Sequence, residues 1–166
     1  MLHKIVKKQN NSDKCIVCGD KNPYGFHARF YELDNGELAA VFHTKELQQS
    51  FPGRVHGGMV AAILDETIGR AICIDKPGSW GVTTEIQVKY KKPVPLNETL
   101  RAVGRITRDT RKIFEGTGEL LLENGEVAAE AWAKYLKVAI EDAAGDDFTE
   151  REWHYLEEDD PREIEI

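Results

Sequence analysis

Alternation of apolar and polar residues dominates the second half of the chain and is typical of β-strands that bury one face. It is clearest over residues 82–90. One face of that stretch would carry Val82, Thr84, Ile86, Val88 and Tyr90, and the other Thr83, Glu85, Gln87 and Lys89. Similar patterns predict strands at 26–33, 37–43, 98–108, 112–123 and 126–138. Asn35-Gly36 and Asn124-Gly125 separate neighbouring strands, and Asn-Gly is a strong hairpin signal.

A helical periodicity follows the glycine-rich turn Pro52-Gly53-Arg54-Val55-His56-Gly57-Gly58. Its apolar positions predict one long helix and are Val60, Ile63, Leu64, Ile68, Ala71 and Ile72. A second helix face carries the small residues Gly58, Ala62, Gly69 and Cys73, which indicates that another backbone packs close to it. Two strands, this helix and four more strands predict an α+β fold, with the helix on one face of an antiparallel sheet.

Asp65 is the one charged residue in the middle of the small-residue face. Aspartate is unfavourable in a helix interior and costly to bury without a partner, so its position indicates a functional role. The N–H groups at the start of the same helix carry partial positive charge and can bind an oxyanion. Asp65 lies about 10 Å along the axis from Gly58. A group held at Gly57 would be out of its reach within one chain, and a partner subunit could close the gap.

Together these features resemble a known family. His56-Gly57-Gly58, the helix with Asp65 nine positions after the histidine, and the strand at 83–95 are similar to the hotdog-fold acyl-CoA thioesterases of the phenylacetate-degradation (PaaI-like) type. The resemblance covers about residues 15–138. It implies a hotdog fold, in which a six-strand antiparallel sheet wraps round one long central helix. It also implies hydrolysis of an acyl-CoA thioester to the free acid and coenzyme A.

The resemblance implies roles for individual residues. Asp65 would act as nucleophile or as general base on water, and the Gly57 N–H would polarise the thioester carbonyl. His56 would have a supporting, orienting role, and the Thr83 hydroxyl would lie near the carboxylate. Thr84 replaces Thr83 in this role if the register differs by one residue.

Substrate contacts are expected around the turn. Gly58 would allow close approach, and Gln49 stands where some members of the family have a glutamine. Others have an asparagine one residue later, where this chain has Ser50. Arg54 is a candidate contact for coenzyme A phosphates, as are Lys91, Lys92, Arg108, Arg111 and Lys112. The alternatives are a purely conformational role for the glycines, a helix-capping role for His56 and an ordinary surface position for each cation.

The resemblance also implies an assembly. Gly57 of one subunit would face Asp65 of another in a homodimer, and two such dimers could pair. No metal and no bound cofactor are implied, because coenzyme A enters as part of the substrate.

Composition and charge narrow the setting. The chain has 166 residues, 41% of them hydrophobic and 31% charged, which fits one globular domain. No apolar run is long enough to span a bilayer and the N-terminus lacks the apolar core of a signal peptide, which predicts a cytoplasmic protein with no membrane partner. The net charge is −7, but 12 acidic residues and only two arginines fall in 141–166, so the remaining body is mildly basic. That bias suits a phosphorylated ligand and is too weak to indicate nucleic acid.

Both ends of the chain differ from its body. We expect a domain over residues 15–138, a polar N-terminal extension over 1–14 and an acidic C-terminal tail over 139–166. Residues 148–158 suggest a helix, and its aromatic residues Trp153 and Tyr155 indicate docking, with the partner subunit as one candidate surface. The run at 157–160 has four like charges, which usually stay solvated.

Three cysteines are too few for a disulfide framework. Cys15 and Cys18 have metal-ligand spacing, but a structural zinc site needs about four ligands. His27, His43 and Cys73 are the only further candidates near in sequence, so a reduced pair in a turn is the favoured interpretation.

Two other functions stay open. Phe51-Pro52-Gly53 is faintly similar to the turn of acyl dehydratases and hydratases of the same fold, although the offset of Asp65 fits a thioesterase better. A non-catalytic acyl-CoA binding or sensor protein would have no need of a buried carboxylate.

Overall fold

A computed structural model describes all 166 residues. In chain order its elements are β1 Leu2–Lys8, β2 Asn11–Ser12, β3 Arg29–Leu33, β4 Leu38–His43, a 3-10 turn Glu46–Gln48, α1 Gly57–Arg70, α2 Ile72–Asp75, β5 Trp80–Tyr90, β6 Thr99–Asp109, β7 Ile113–Leu121, β8 Val127–Val138, α3 Ile140–Ala144, α4 Phe148–Arg151, β9 Trp153–His154 and β10 Glu163–Glu165. None of the helices has the length and apolar character that crossing a membrane requires.

Eight strands form one sheet in the order β10-β1-β3-β4-β6-β7-β8-β5, with antiparallel neighbours throughout. The six predicted strands are all present. Gly36 and Gly125 take φ values of 80° and 81° in the two predicted Asn-Gly hairpins. The sheet has eight strands instead of six because β10 and β1 extend it beyond β3. The pattern of β1 gave no strand signal because four of its seven residues are histidine or lysine.

Helix α1 lies across one face of this sheet and contacts β4, β5, β6, β7 and β8. The apolar stripe predicted from the sequence forms its buried side, where Ile63, Leu64 and Ile68 are completely inaccessible to solvent. Ala71 and Ile72, predicted as part of the same stripe, are also buried but follow the last turn of α1. One long helix packed on an antiparallel sheet confirms the α+β prediction.

Glycines in β6 and β7 let α1 come close to the sheet. A Cβ atom at Gly104 would stand 2.7 Å from the backbone oxygen of Thr67. Cβ atoms at Gly116 and Gly118 would stand 2.6 and 2.9 Å from the side chain of Ile68. Distances this short leave no room for a side chain, so the close backbone approach is between α1 and the sheet.

The small-residue face of α1 has different neighbours. A Cβ atom at Gly69 would meet the Tyr135 ring at 3.0 Å, and one at Gly58 would meet the His56 ring at 3.0 Å. Within the chain, therefore, side chains and not a second backbone lie against these two glycines.

Strand β5 departs from the strict alternation predicted for it. Thr83 pairs with Tyr135 on β8, and the register then shifts before Glu85, so Thr84 is an extra residue in a β-bulge. The bulge turns Thr83 toward α1, the side on which Ile86 packs against the core. The predicted placement of Thr83 and Ile86 on opposite faces is therefore wrong.

The C-terminal tail folds back over the N-terminal segment. The helix predicted over 148–158 ends at Arg151, because Trp153 and His154 pair as strand β9 with Ser12 and Asn11 of β2.

Half of the acidic run at 157–160 is paired and not simply solvated. Glu158 binds Lys8 at 2.9 Å and Arg29 at 2.7 Å, and Asp160 binds Lys8 at 2.8 Å. The Tyr31 hydroxyl also donates to Asp160 at 2.7 Å. These contacts fix the tail to the neighbouring strands β1 and β3.

Replacing Gly104 by alanine tests the close approach of α1. We expect the free energy of unfolding to fall by about 1–3 kcal/mol, because the new methyl group would collide with the helix backbone. Urea denaturation of Gly104→Ala against wild type measures this. Thr107→Ala, at an exposed position of the same strand, is the control and should change stability by less than about 0.5 kcal/mol. Equal stability of all three proteins would contradict the packing described.

Candidate active site

The Asp65 carboxylate is held by two hydroxyl groups from neighbouring strands. Thr83 on β5 donates to its two oxygens at 2.9 and 3.0 Å, and Tyr135 on β8 donates to Oδ1 at 3.0 Å. The Tyr135 hydroxyl also lies 2.7 Å from the Asp65 backbone oxygen. The carboxylate forms no ion pair, so the site holds an uncompensated negative charge.

Burial raises the pKa of Asp65 above its ordinary value, while the hydrogen bonds from Thr83 and Tyr135 lower it and offset part of the effect. The pKa of Tyr135 is also raised, by burial and by the nearby Asp65 charge, so Tyr135 stays a hydrogen-bond donor. A carboxyl group with a raised pKa at a cavity wall is a candidate acid–base or nucleophilic group.

Tyr135 was missed by the sequence analysis. Its ring stacks on Phe114 with centroids 4.7 Å apart and planes 13° from parallel. Glycines make room for both rings, because a Cβ at Gly69 would meet Tyr135 at 3.0 Å and one at Gly81 would meet Phe114 at 2.7 Å. Gly69 and Gly81 were the available signals, but neither identifies which aromatic residue it accommodates.

The start of α1 has a free backbone donor. His56 caps the helix, and its Nδ1 accepts the Gly58 N–H at 2.9 Å. The Gly57 N–H has no acceptor in the chain, while the Gly57 oxygen accepts from the Tyr90 hydroxyl at 2.8 Å. The Gly57 donor is therefore available to an external oxyanion, and Tyr90 holds this turn in place.

Gly57 and Asp65 open into two different cavities. Gly57 lines a cavity of about 350 Å³ together with Arg54, Tyr90, Lys91 and others. Asp65 and Thr83 line a second cavity of about 320 Å³. Within a single chain, therefore, the Asp65 carboxylate and the Gly57 N–H do not share a cavity.

The remaining predicted substrate contacts are spread around these cavities. The exposed Gln49 side chain accepts the Gly53 N–H at 3.4 Å and lines neither cavity. Thr84 donates to the Lys134 oxygen at 3.1 Å and does not touch Asp65.

The cations beside Gly57 differ in how they are paired. Lys91 pairs with Glu130 at 2.5 Å and Lys92 with Glu126. Arg54 has no carboxylate partner, which leaves its charge available to an anionic ligand.

Tail residues close the cavity that contains Asp65. Trp80 of β5 packs edge-on against Trp153 and Phe148, with ring centroids 5.1 and 5.8 Å apart. All three rings line the cavity, as does Tyr135. An apolar wall next to a carboxylate can hold an apolar group whose polar end reacts.

Comparison with known proteins shows which family this chain is similar to. A family model described as the thioesterase superfamily matches residues 52–129. The chain is 28% identical over 113 residues to the mouse protein acyl-coenzyme A thioesterase THEM4, a match that covers 68% of this chain and 48% of that protein. The chain spans about half the length of the curated relatives it matches first.

Solved structures share the fold. RHA08564, a thioesterase superfamily protein, superposes with a TM-score of 0.67 at 24% identity, over 74% of this chain and 63% of that one. The chain has the hotdog fold that these thioesterase superfamily structures share. The family resemblance predicted from the sequence is confirmed.

Two further hotdog structures bear on the resemblance. The PaaI protein of E. coli, from the phenylacetic acid degradation operon, has a TM-score of 0.62 at 14% identity and covers 69% of this chain and 81% of that one. The protein smu.793 of Streptococcus mutans, bound to acetyl CoA, has a TM-score of 0.57 at 21% identity and covers 63% and 82%. At these identities the likeness shows the fold alone.

Removing either hydroxyl group should raise the pKa of Asp65 further. The hydrogen bonds from Thr83 and Tyr135 stabilise the ionised carboxylate, so Thr83→Val and Tyr135→Phe should each move its titration to higher pH. Carbon-13 NMR of the Asp65 carboxyl group across a pH series measures this. Thr84→Val is the matched control, because that hydroxyl bonds to Lys134 instead. A titration that stays in place in both Thr83→Val and Tyr135→Phe would show that these groups do not bind the carboxylate in solution.

Proposed function

We propose that this chain hydrolyses acyl-CoA thioesters, with the catalytic carboxylate and the oxyanion donor supplied by different subunits of a homodimer. The observation that carries this proposal is the unpaired, half-buried Asp65 carboxylate, held by Thr83 and Tyr135 beside an apolar cavity. A non-catalytic protein would gain nothing from this arrangement, because an uncompensated charge is costly to bury.

The reaction needs only the groups already described. The Gly57 N–H at the start of α1 would stabilise the negative charge that develops on the thioester oxygen. Asp65 would either remove a proton from the attacking water or attack the carbonyl carbon itself. In the first route water adds to the carbonyl carbon, the C–S bond breaks, and the coenzyme A thiolate leaves and takes up a proton. In the second route Asp65 displaces the thiolate and forms a mixed anhydride, which water then cleaves to the free acid and the Asp65 carboxylate.

The free edge of the sheet supports the proposed dimer. β5 is the last strand in the sheet order, is 11 residues long and has mostly exposed residues. Exposed edge strands of this length readily pair with another chain. A second copy of β5 is the natural partner, because a two-fold axis through the edge would pair the strand with itself.

The register of such a pairing would bring the two half-sites together. On β5, the Tyr90 hydroxyl binds Gly57 and the Thr83 hydroxyl binds Asp65. These two strand residues therefore show where along β5 the two groups lie. An antiparallel pairing centred between Ile86 and Gln87 places Tyr90 opposite the Thr83 position of the second copy. Each Gly57 would then approach the Asp65 position of the other subunit, which agrees with the separation of the two cavities in one chain.

Coenzyme A would lie on the Gly57 side. Arg54 provides an unpaired positive charge for a phosphate group. The acetyl CoA bound to smu.793 and the name of the THEM4 relative support this class of ligand. A pairing of two dimers is part of the same proposal, as is a cytoplasmic location.

The acyl group would enter the cavity beside Asp65, whose wall includes Trp80, Phe148 and Trp153. With about 320 Å³ the cavity is at the lower end of the range of small-molecule sites, about 300–1,000 Å³. It therefore favours a compact acyl group over a long chain.

The first experiment measures thiol release from acyl-CoA esters of increasing length by wild type and Asp65→Asn. We expect turnover by wild type and a loss of about 10²–10⁴-fold in the variant, since the carboxylate is the acid–base group or the nucleophile. Asp75→Asn, at the exposed last residue of α2, is the control and should keep full activity.

Each other outcome rejects part of the proposal. Equal rates for wild type and Asp65→Asn would remove Asp65 from the mechanism. Binding of acyl-CoA without turnover would favour a binding or sensor protein, and hydration of an unsaturated acyl-CoA without thiol release would favour a hydratase.

Complementation tests whether the site is shared between subunits. Gly57→Pro removes only the N–H donor, because proline is tolerated at the first helical position and His56 already has the extended conformation that precedes proline. Asp65→Asn and Gly57→Pro should each be inactive. Co-expressed in equal amounts, they should regain about a quarter of wild-type activity, since half of the dimers would be mixed and carry one intact site. No recovery in isolated mixed dimers would place both groups in one subunit.

Trp153→Ala tests the acyl cavity. Removing this ring should enlarge the cavity and raise kcat/KM for long-chain esters relative to short ones by about tenfold. The reason is that one methylene group more or less in a hydrophobic pocket typically changes kcat/KM by about tenfold or more. Tyr155→Ala, in the same tail but exposed, is the matched control and should leave the ratio unchanged. An unchanged ratio in Trp153→Ala would place the acyl group elsewhere.

A further inference from the structure

The Cys15–Cys18 turn is built to present two sulfur atoms side by side. The Val17 N–H points at the Cys15 sulfur at 3.3 Å, and the Ser12 N–H points at the Cys18 sulfur at 3.4 Å. Gly19 closes the turn, since a Cβ there would stand 2.5 Å from the Cys15 nitrogen. Two cysteine sulfur atoms presented in this way are metal-ligand atoms, because the thiolate is the form of cysteine that binds metal ions.

A carboxylate from α1 supplies a third donor atom. Glu66 Oε2 lies 3.0 Å from the Cys15 sulfur, and this oxygen and both sulfur atoms all lie within 4.8 Å of one another. Zinc bonds of about 2.3 Å to sulfur and 2.0–2.2 Å to oxygen would hold such atoms about 3.5–4 Å apart. Movements of about 1 Å would therefore bring the three atoms to coordination distance.

Arg70 holds Glu66 in the orientation that coordination needs. Its Nε and Nη2 bind Glu66 Oε1 at 2.9 and 2.7 Å, which leaves Oε2 directed at the sulfur atoms. Nη2 also lies 3.0 Å from the Cys18 sulfur. Hydrogen bonds of this kind orient metal ligands from outside the coordination shell. Two thiolates, one carboxylate and one guanidinium have a net charge of −2. This charge would balance the +2 of a divalent cation.

Cys15, Cys18 and Glu66 all line the cavity that contains Asp65. A metal ion there would have three protein ligands and a fourth position open to water in the cavity, a tetrahedral arrangement that zinc adopts. The other candidates named from the sequence do not reach this cluster. His27 contacts Asn22 and Lys45, His43 contacts Thr99, and Cys73 contacts Ser79.

We propose that Cys15, Cys18 and Glu66 bind one divalent cation of the zinc class, with water from the cavity as the fourth ligand. Binding replaces the two thiol protons, which are released to solvent. The ion would link the N-terminal segment to α1 and so stabilise the fold. This inference does not depend on the proposed hydrolysis.

Cobalt binding tests the proposal without reference to activity. The full-length protein is kept reduced with a phosphine, freed of metal and titrated with Co²⁺. We expect one equivalent to bind with a thiolate-to-cobalt charge-transfer band, and one equivalent of Zn²⁺ to displace it and raise the melting temperature.

Variants identify the ligands. Cys18→Ser and Cys15→Ser should each weaken or remove the charge-transfer band. Glu66→Gln keeps both thiolates and should weaken binding by about tenfold or more, since loss of even an outer partner typically costs 10–100-fold. Cys73→Ser is the matched control, because Cys73 lines the same cavity but lies outside the cluster, and it should bind as wild type does.

Three results would overturn the proposal. These are no stoichiometric cobalt band in the reduced wild-type protein, a band that survives in both Cys15→Ser and Cys18→Ser, and affinity in Glu66→Gln equal to that of wild type. The wild-type titration decides the first result even if a cysteine variant fails to fold.

Discussion

The buried guanidinium group of Arg70 joins parts of the chain that are far apart in sequence. A buried cation is tolerated only when it is fully paired, and the partners of Arg70 come from its own helix and from four other segments. They are Glu66 on its own helix, the Asn10 oxygen at 2.7 Å, the Cys18 sulfur at 3.0 Å, and the rings of Phe30 and Trp153 at 4.2 and 4.7 Å. Removing one partner of a buried ion pair typically costs about 3–5 kcal/mol, because the other charge is left uncompensated. The N-terminal segment, the cysteine turn and the tail therefore depend on this one side chain for their position against α1.

Asp65 is the opposite case, a partly buried charge that the fold leaves without a cation. Its pKa is raised by burial. The protonated carboxyl group therefore favours folding at acidic pH, and that contribution is lost as the pH rises through the folded-state pKa. Near neutral pH the ionised carboxylate is a cost to the fold, which Thr83 and Tyr135 reduce without removing. A site that lowers stability in this way is expected where reactivity is needed.

Local pattern was enough for most of the fold. Six strands, two Asn-Gly hairpins and the long helix follow from periods of two and 3.6 residues and from the φ values that glycine permits. The contact between Thr83 and Asp65 came from the family resemblance, although alternation alone would have turned Thr83 away from the helix. The bulge at Thr84 explains the difference. One extra residue in β5 moves the side chains that precede it to the opposite face of the sheet from the one that alternation predicts.

The sequence by itself determined the α+β architecture and the buried stripe of α1. It also led to the hypothesis that Asp65 and Gly57 carry the chemistry. All of these depend on residues close together in the chain. The tertiary structure alone decided which side chains meet across long separations. Tyr135 reaches Asp65 from 70 positions away, and Trp153 closes the cavity from a tail predicted to be helical. Glu66 joins a cysteine pair 51 positions earlier, although the sequence offered only histidines and a third cysteine as partners. Such pairings arise from packing and from the need to satisfy buried polar groups, and neither leaves a periodic trace in the sequence.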